Sequence, residues 1–283
     1  MIRFGTAGVG DSFSEMGYKK TVQTGDYLVA FGLNHFEYQS GQGVRVTEAS
    51  GNALGEVLKA KGITVSLHAP YYISLSSTEE DKRLGSLRYI LESAKAVKSL
   101  GGTRIIIHSG SCAKITREEA LSLASDTLLL AKKALADNGY DDVICCPETM
   151  GKFNQLGTLD EVISLCSLDE SFIPCIDFGH LNARTVGGIK TKADYENILD
   201  TIKNRLGQYR YENFHSHFSK IMYTEKGGEK KHLTFSDNEY GPNYEPLLDI
   251  IHERGLTPVI VCESDGTQAE DAAKMKGYFE GLS

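Results

Sequence analysis

No run of about 18 apolar residues occurs in this 283-residue chain, so no segment reads as a membrane-spanning helix. The opening Met1-Ile2-Arg3-Phe4-Gly5-Thr6 lacks an apolar core with a cleavage site and does not read as a secretory leader. No Cys-x-x-Cys pair is present. The six cysteines (Cys112, Cys145, Cys146, Cys166, Cys175 and Cys262) are scattered, with runs such as Ile144-Cys145-Cys146 and Val261-Cys262 that read as buried strands. They are expected to be reduced thiols of a cytosolic protein, not a disulfide framework. Positive charge is in deficit: 30 Lys and Arg stand against 38 Asp and Glu, a net of −8. That balance argues against generic nucleic-acid binding through a basic surface. No Pro/Ser-rich linker, low-complexity tract or sequence repeat divides the chain. Disorder is excluded by the 41% hydrophobic share.

What the chain does have is an alternation. Short β-rich apolar runs occur at Ile2 to Thr6, His35 to Tyr38, Thr64 to His68, Arg104 to His108, Val143 to Glu148, Ile173 to Asp177, Tyr211 to His217 and Pro258 to Glu263. Longer stretches of helical spacing lie between most of them, including Thr47 to Ala60, Glu79 to Leu100, Arg117 to Ala136, Thr158 to Leu165, Thr191 to Ile202, Tyr244 to Arg254 and Gln268 to Phe279. Thr116, with Glu119 three residues on, reads as an N-cap and capping box. Eight near-continuous apolar strands alternating with helices predict a parallel sheet closed into a single (β/α)8 TIM barrel, one α/β domain over residues 1–283.

The polar residues fall at strand ends. Strands three to eight finish on His68, His108, Glu148, Asp177 with His180, His215 with His217, and Glu263, each directly after apolar residues. All strands of such a barrel run the same way, so these ends share one rim. So many carboxylates and imidazoles crowded together are costly unless a cation neutralises them. Nitrogen and oxygen donors without thiolate suit Zn²⁺ or Mn²⁺. His35 and His252 have no such setting and read as ordinary rim or surface histidines.

These motifs resemble endonuclease IV, the metal-dependent abasic-site nucleases on a xylose-isomerase-like barrel. The likeness is carried by His68-Ala69-Pro70-Tyr71, Ile107-His108-Ser109-Gly110, Pro147-Glu148-Thr149-Met150-Gly151-Lys152, Ile176-Asp177-Phe178-Gly179-His180, His215-Ser216-His217-Phe218-Ser219-Lys220, Gly228-Glu229-Lys230-Lys231-His232 and Glu263-Ser264-Asp265. It spans essentially the whole chain. It implies two or three Zn²⁺ ions, with Mn²⁺ an alternative. His68, His108 and Glu148 would hold the first. Glu148 would bridge to the second, completed by Asp177, His215 and Glu263. His180 and His232 would hold the third, where the family's aspartate is replaced by Lys230; Glu229 is the alternative carboxylate. His217 shares a strand face with His215, but the family's spacing to Lys220 favours His215. The resemblance further implies substrate contacts from Tyr71 and from Gln39, Gln42 and Arg45 on the loop after strand two. Lys152, Arg184 and Lys220 are candidate phosphate binders. The implied reaction is attack by metal-activated hydroxide on the phosphodiester 5′ to an abasic site. Glu148 is the catalytic carboxylate, damaged duplex DNA the partner, and the protein a cytoplasmic monomer. The rival reading is a metal-dependent sugar isomerase or epimerase on the same barrel, for which Glu148, Asp177, His215 and Glu263 suffice.

Overall fold

The computed structural model describes residues 1–282, so the last residue of the expected domain lies outside the described residues. Eight parallel strands form the barrel: β1 (Arg3–Ala7), β2 (His35–Gln39), β3 (Thr64–His68), β4 (Arg104–Ile107), β5 (Ile144–Pro147), β6 (Cys175–Asp177), β7 (His215–Phe218) and, last in the chain, β10 (Val259–Cys262). They are ordered β5-β4-β3-β2-β1-β10-β7-β6. A parallel bridge between Glu148 and Cys175 joins β5 to β6 and closes the seam. The helices pack outside this ring, and the expected long ones form at Glu48–Ala60, Glu80–Ser99, Arg117–Asp137, Lys192–Leu206 and Gln268–Glu280. Thr116 caps its helix with the predicted box to Glu119. Among the described residues, no helix is long and apolar enough to cross a membrane.

Strand alternation divides the interior from the outer core. Ile105 and Ile107 belong to the large cluster packed beneath the helices, whereas Ile106 belongs to a small separate one with Cys146, Ile173 and Cys175. The adjacent cysteines divide the same way, Cys145 outward and Cys146 inward. All six cysteines are free thiols.

Three local features depart from the expected layout. Tyr211 does not open strand seven. Residues Gln208–Glu212 form a short helix after Gly207, whose φ of 84° ends the preceding helix, and β7 starts at His215. Second, a short helix, Phe178–Arg184, follows β6 directly, capped by the Asp177 side chain. Third, an antiparallel hairpin of β8 (Lys220–Thr224) and β9 (Gly228–Leu233) rises from the end of β7. Both unforeseen elements carry site residues.

Candidate metal centre

The strand ends converge as the sequence implied. His68, Tyr71, His108, Glu148, Lys152, His180, Glu229, His232 and Glu263 line one cavity of about 420 Å³. Glu148 is at its centre and is buried. Its Oε2 lies 3.3 Å from His68 Nε2 and 3.1 Å from His108 Nε2. Its Oε1 lies 2.8 Å from His217 Nδ1 and 3.5 Å from His180 Nδ1. One carboxylate thus faces two sets of donors. Three groups bring their donor atoms within 4.8 Å of one another: His68, His108 and Glu148; Glu148, Asp177, His217 and Glu263; and His180, Glu229 and His232.

The second group differs from the sequence expectation. The register pairs Asp177 with His217 and Cys175 with His215. His217 therefore stands level with Asp177, and His215 lies two residues deeper on the same inward face. His215 Nε2 donates to Glu37 at 2.9 Å, away from the rim. Local spacing to Lys220 could not reveal this, because depth in a barrel is set by neighbouring strands. A fourth cluster, Cys175 with His215 and His217, is fully buried below. Burial pushes the Cys175 thiol up, which leaves it protonated and a poor metal donor.

The third group is assembled by a β-bulge. Ile221 pairs with His232, Met222 with Lys231, and Tyr223 with Glu229, so Lys230 is an extra residue in β9. Residues three apart on a regular strand face opposite ways; the inserted residue puts Glu229 on the face of His232. Glu229 Oε2 is 3.5 Å from His180 Nε2, while Lys230 is exposed. Gly151 makes the approach possible, since a Cβ there would lie 2.6 Å from that of Glu229.

Hydrogen bonds orient the rings. His68 Nδ1 donates to the Ala69 carbonyl and His180 Nδ1 to the Thr149 carbonyl, each at 2.9 Å, which turns each Nε2 into the cavity. Asp177 Oδ1 accepts from the His180 backbone N–H at 2.7 Å and starts the short helix. The other oxygen, Oδ2, is buried without a hydrogen-bond partner. Such an orphaned acceptor beside imidazoles, in a set of nitrogen and oxygen donors, fits a divalent cation. Burial raises Asp177 to about 6, helped by Glu263 and Glu148 and opposed by His180. Burial alone would lower His180, but Asp177, Glu229, Glu148 and Glu263 outweigh it and raise the ring to about 9. Burial likewise opposes the anionic form of Glu148, yet His217, His108 and His68 hold its carboxyl well below the usual range. Without metal, protons thus provide the positive charge that the carboxylates require.

A model of the family described as xylose isomerase-like TIM barrel matches residues 26–280. The chain belongs to this family. Among curated relatives it is 33% identical to the uncharacterized protein MJ0133 of Methanocaldococcus jannaschii over 99% of this chain and 98% of that one. It is 27% identical to a probable endonuclease 4 of Mycoplasma pneumoniae, over 53% of this chain and 50% of the relative. Among solved structures, a D-tagatose 3-epimerase-like protein superposes with a TM-score of 0.74 at 16% identity, covering 99% of this chain and 98% of that chain. Endonuclease IV from Thermus thermophilus superposes with 0.67 at 17% identity, covering 99% of each. At these identities the structural likeness shows the fold alone.

The other candidate residues divide between the mouth of this family barrel and its scaffold. Tyr71 is 57% exposed and lies flat on His108, with ring centroids 5.1 Å apart. Gly41 has no side chain to collide with that tyrosine ring; its Cβ would lie 2.5 Å away. Gln42 and Arg45 are exposed on the loop beside Tyr71, and Lys152 is exposed at the cavity. Gln39, by contrast, is the last residue of β2 and donates inward to Glu37 at 3.2 Å. Arg184 donates to the carbonyls of Met150, Lys152 and Gln155, and the buried Lys220 ammonium to that of Asp237. Both cations are tied to backbone. His252 packs against Phe279 and is exposed, as expected. His35 is instead buried in the barrel, bonded to Thr64 and Ser66. Sequence reasoning missed Glu37, which is fully buried. Its signal was the polar alternation His35, Glu37, Gln39, which aims three polar side chains into the barrel.

Proposed function

We propose that this protein is a metal-dependent endonuclease that cleaves the DNA phosphodiester 5′ to an abasic site, a hydrolase of base-excision repair. The observation that carries the reading is the donor inventory: His68, His108, His180, Glu229 and His232 surround the mouth in addition to the Glu148, Asp177, His217 and Glu263 set. A one-metal sugar epimerase has no use for the extra donors. The relatives named as probable endonuclease 4 point the same way.

His68, His108 and Glu148 would hold one ion; Glu148, Asp177, His217 and Glu263 a second; His180, Glu229 and His232 a third. Nitrogen and oxygen donors favour Zn²⁺, with Mn²⁺ as alternative. When bound, the ions supply charge stabilisation at phosphoryl oxygens and activate water for in-line attack. Glu148 faces both inner donor sets and is the group placed to hold the nucleophile's proton. Tyr71 presents an exposed ring against which an extruded sugar can pack, and Lys152 offers a charge to a flanking phosphate. Gln42 and Arg45, on the loop beside Tyr71, are positioned to enter the space left in a flipped duplex. The protein acts as a cytoplasmic monomer in this reading. The net charge of −8 counts neither the bound ions nor their position at the mouth.

The test is a duplex with one synthetic abasic site. Incision 5′ to the site, lost with chelator and restored by Zn²⁺ or Mn²⁺, is expected; an intact duplex at stoichiometric enzyme sinks the substrate assignment. The Glu148 and Glu263 pair favours epimerisation as the second reading, because two carboxylates on one metal can move a proton beside a carbonyl. One ion per chain together with ketose turnover would establish it. For the third group, Glu229→Gln should remove one equivalent of bound metal, whereas Lys230→Asp should leave the count unchanged. Elemental analysis checks both, and the opposite pattern would exclude the bulge-built site.

A further inference from the structure

Below the proposed centre lies a carboxylate that the mechanism does not use. Glu37 is fully buried, with three hydrogen-bond donors and the His217 ring against it. Its Oε2 accepts from His215 Nε2 at 2.9 Å and Ser66 Oγ at 2.8 Å. Its Oε1 accepts from Gln39 Nε2 at 3.2 Å and makes an ion-pair contact with His217 Nε2 at 2.9 Å. Ser66 is held in turn by His35 Nε2 at 2.9 Å, and His35 Nδ1 bonds Thr64 Oγ1 at 2.8 Å. The carboxylate is thus fixed from β2, β3 and β7 together.

We propose that Glu37 is a positioning residue that fixes His217 as a metal donor through Nδ1, resting on the metal-centre reading above. His217 has two ring nitrogens. Nε2 points down to Glu37; Nδ1 points up, 2.8 Å from Glu148 and 3.5 Å from Glu263. An anion at Nε2 keeps that nitrogen protonated, which leaves Nδ1 the lone pair. It also raises the basicity of the ring and holds its plane. The fully buried Glu37 has no route to a substrate, so it acts only through His217. A neutral partner would do neither task as well. Glu37 also binds His215, whose ring thereby stays in the layer below instead of competing for the rim.

Two measurements test this. Glu37→Gln keeps the shape and removes the charge. Zinc titration of apo-protein against a chromophoric chelator should show the site containing His217 weakened roughly 10–100-fold, with the His68, His108 and Glu148 site unaltered. Equal affinity at every site in the wild type and the variant would overturn the proposal. Should the variant fail to fold, nitrogen-15 imidazole spectra of the zinc-loaded wild type decide, with His217 assigned by its loss in His217→Asn. Protonated Nε2 with a metal-shifted Nδ1 is expected; the reverse tautomer overturns the inference. A wild type that takes up no zinc removes the metal-centre reading itself, a different outcome from wild-type loading that Glu37→Gln leaves intact.

Discussion

Glu148→Gln should abolish incision of an abasic duplex, with a fall in kcat on the order of a thousandfold or more, about 4 kcal/mol of transition-state stabilisation. The side chain keeps its shape but loses its charge and half of its acceptor capacity. At present one oxygen faces His68 and His108 and the other faces His217 and His180. A glutamine can accept on one side only. Its NH2 would meet imidazole nitrogens that must be free to bind metal. Two ions should therefore be weakened together, and the loss should appear in both metal content and rate. Gel-based cleavage and elemental analysis measure the two. Activity within tenfold of the wild type would remove Glu148 from the reaction. The fold should survive, because the variant is isosteric and the neighbouring rings can shed their protons.

The second large effect separates two histidines two residues apart. His217→Gln should strip one metal equivalent and reduce incision beyond the 10–100-fold typical of losing a partner outside the coordination sphere. His215→Gln should keep every ion, because its amide can still donate to Glu37 from the layer below. The difference lies in register: His217 pairs across to Asp177, and His215 to Cys175. Their electrostatic settings diverge accordingly. Burial, with His217 and Arg104, lowers His215 to about 4 against the pull of Glu37, so this ring is neutral at pH 7. Burial would lower His217 as well, but Glu263, Glu37 and Glu148 hold it well above the usual histidine range. A metal ion replaces that proton. Metal analysis of the two variants decides between them; loss in His215→Gln with retention in His217→Gln would return the ligand role to His215.

Much of the candidate site was legible because its signals are local. A strand that ends Ile106-Ile107-His108 or Cys175-Ile176-Asp177 announces both the buried strand and the rim residue. Glu229 was legible only as an alternative to the missing aspartate. Its place depends on an extra residue in a hairpin whose partner strand the sequence reading did not identify. Gln39 looked like part of the flexible loop because Ser40-Gly41 follows it; pairing with His68 extends β2 through Gln39 and turns its amide inward. Arg184 and Lys220 looked free because nothing local reveals that the carbonyls of Met150, Gln155 and Asp237 would claim them.

By itself the sequence determined the eight strands and seven of the helices that alternate with them, the parallel barrel and the ring of imidazoles and carboxylates at one mouth. Those follow from periodicity and from residues adjacent in the chain. Only the tertiary structure decided the depth of each inward side chain: His217 at the rim, His215 a layer below, and the Glu37 carboxylate in contact with both rings. Depth depends on how each strand is staggered against its neighbours, and the backbone pairings that set the stagger join residues as distant as Thr6 and Cys262.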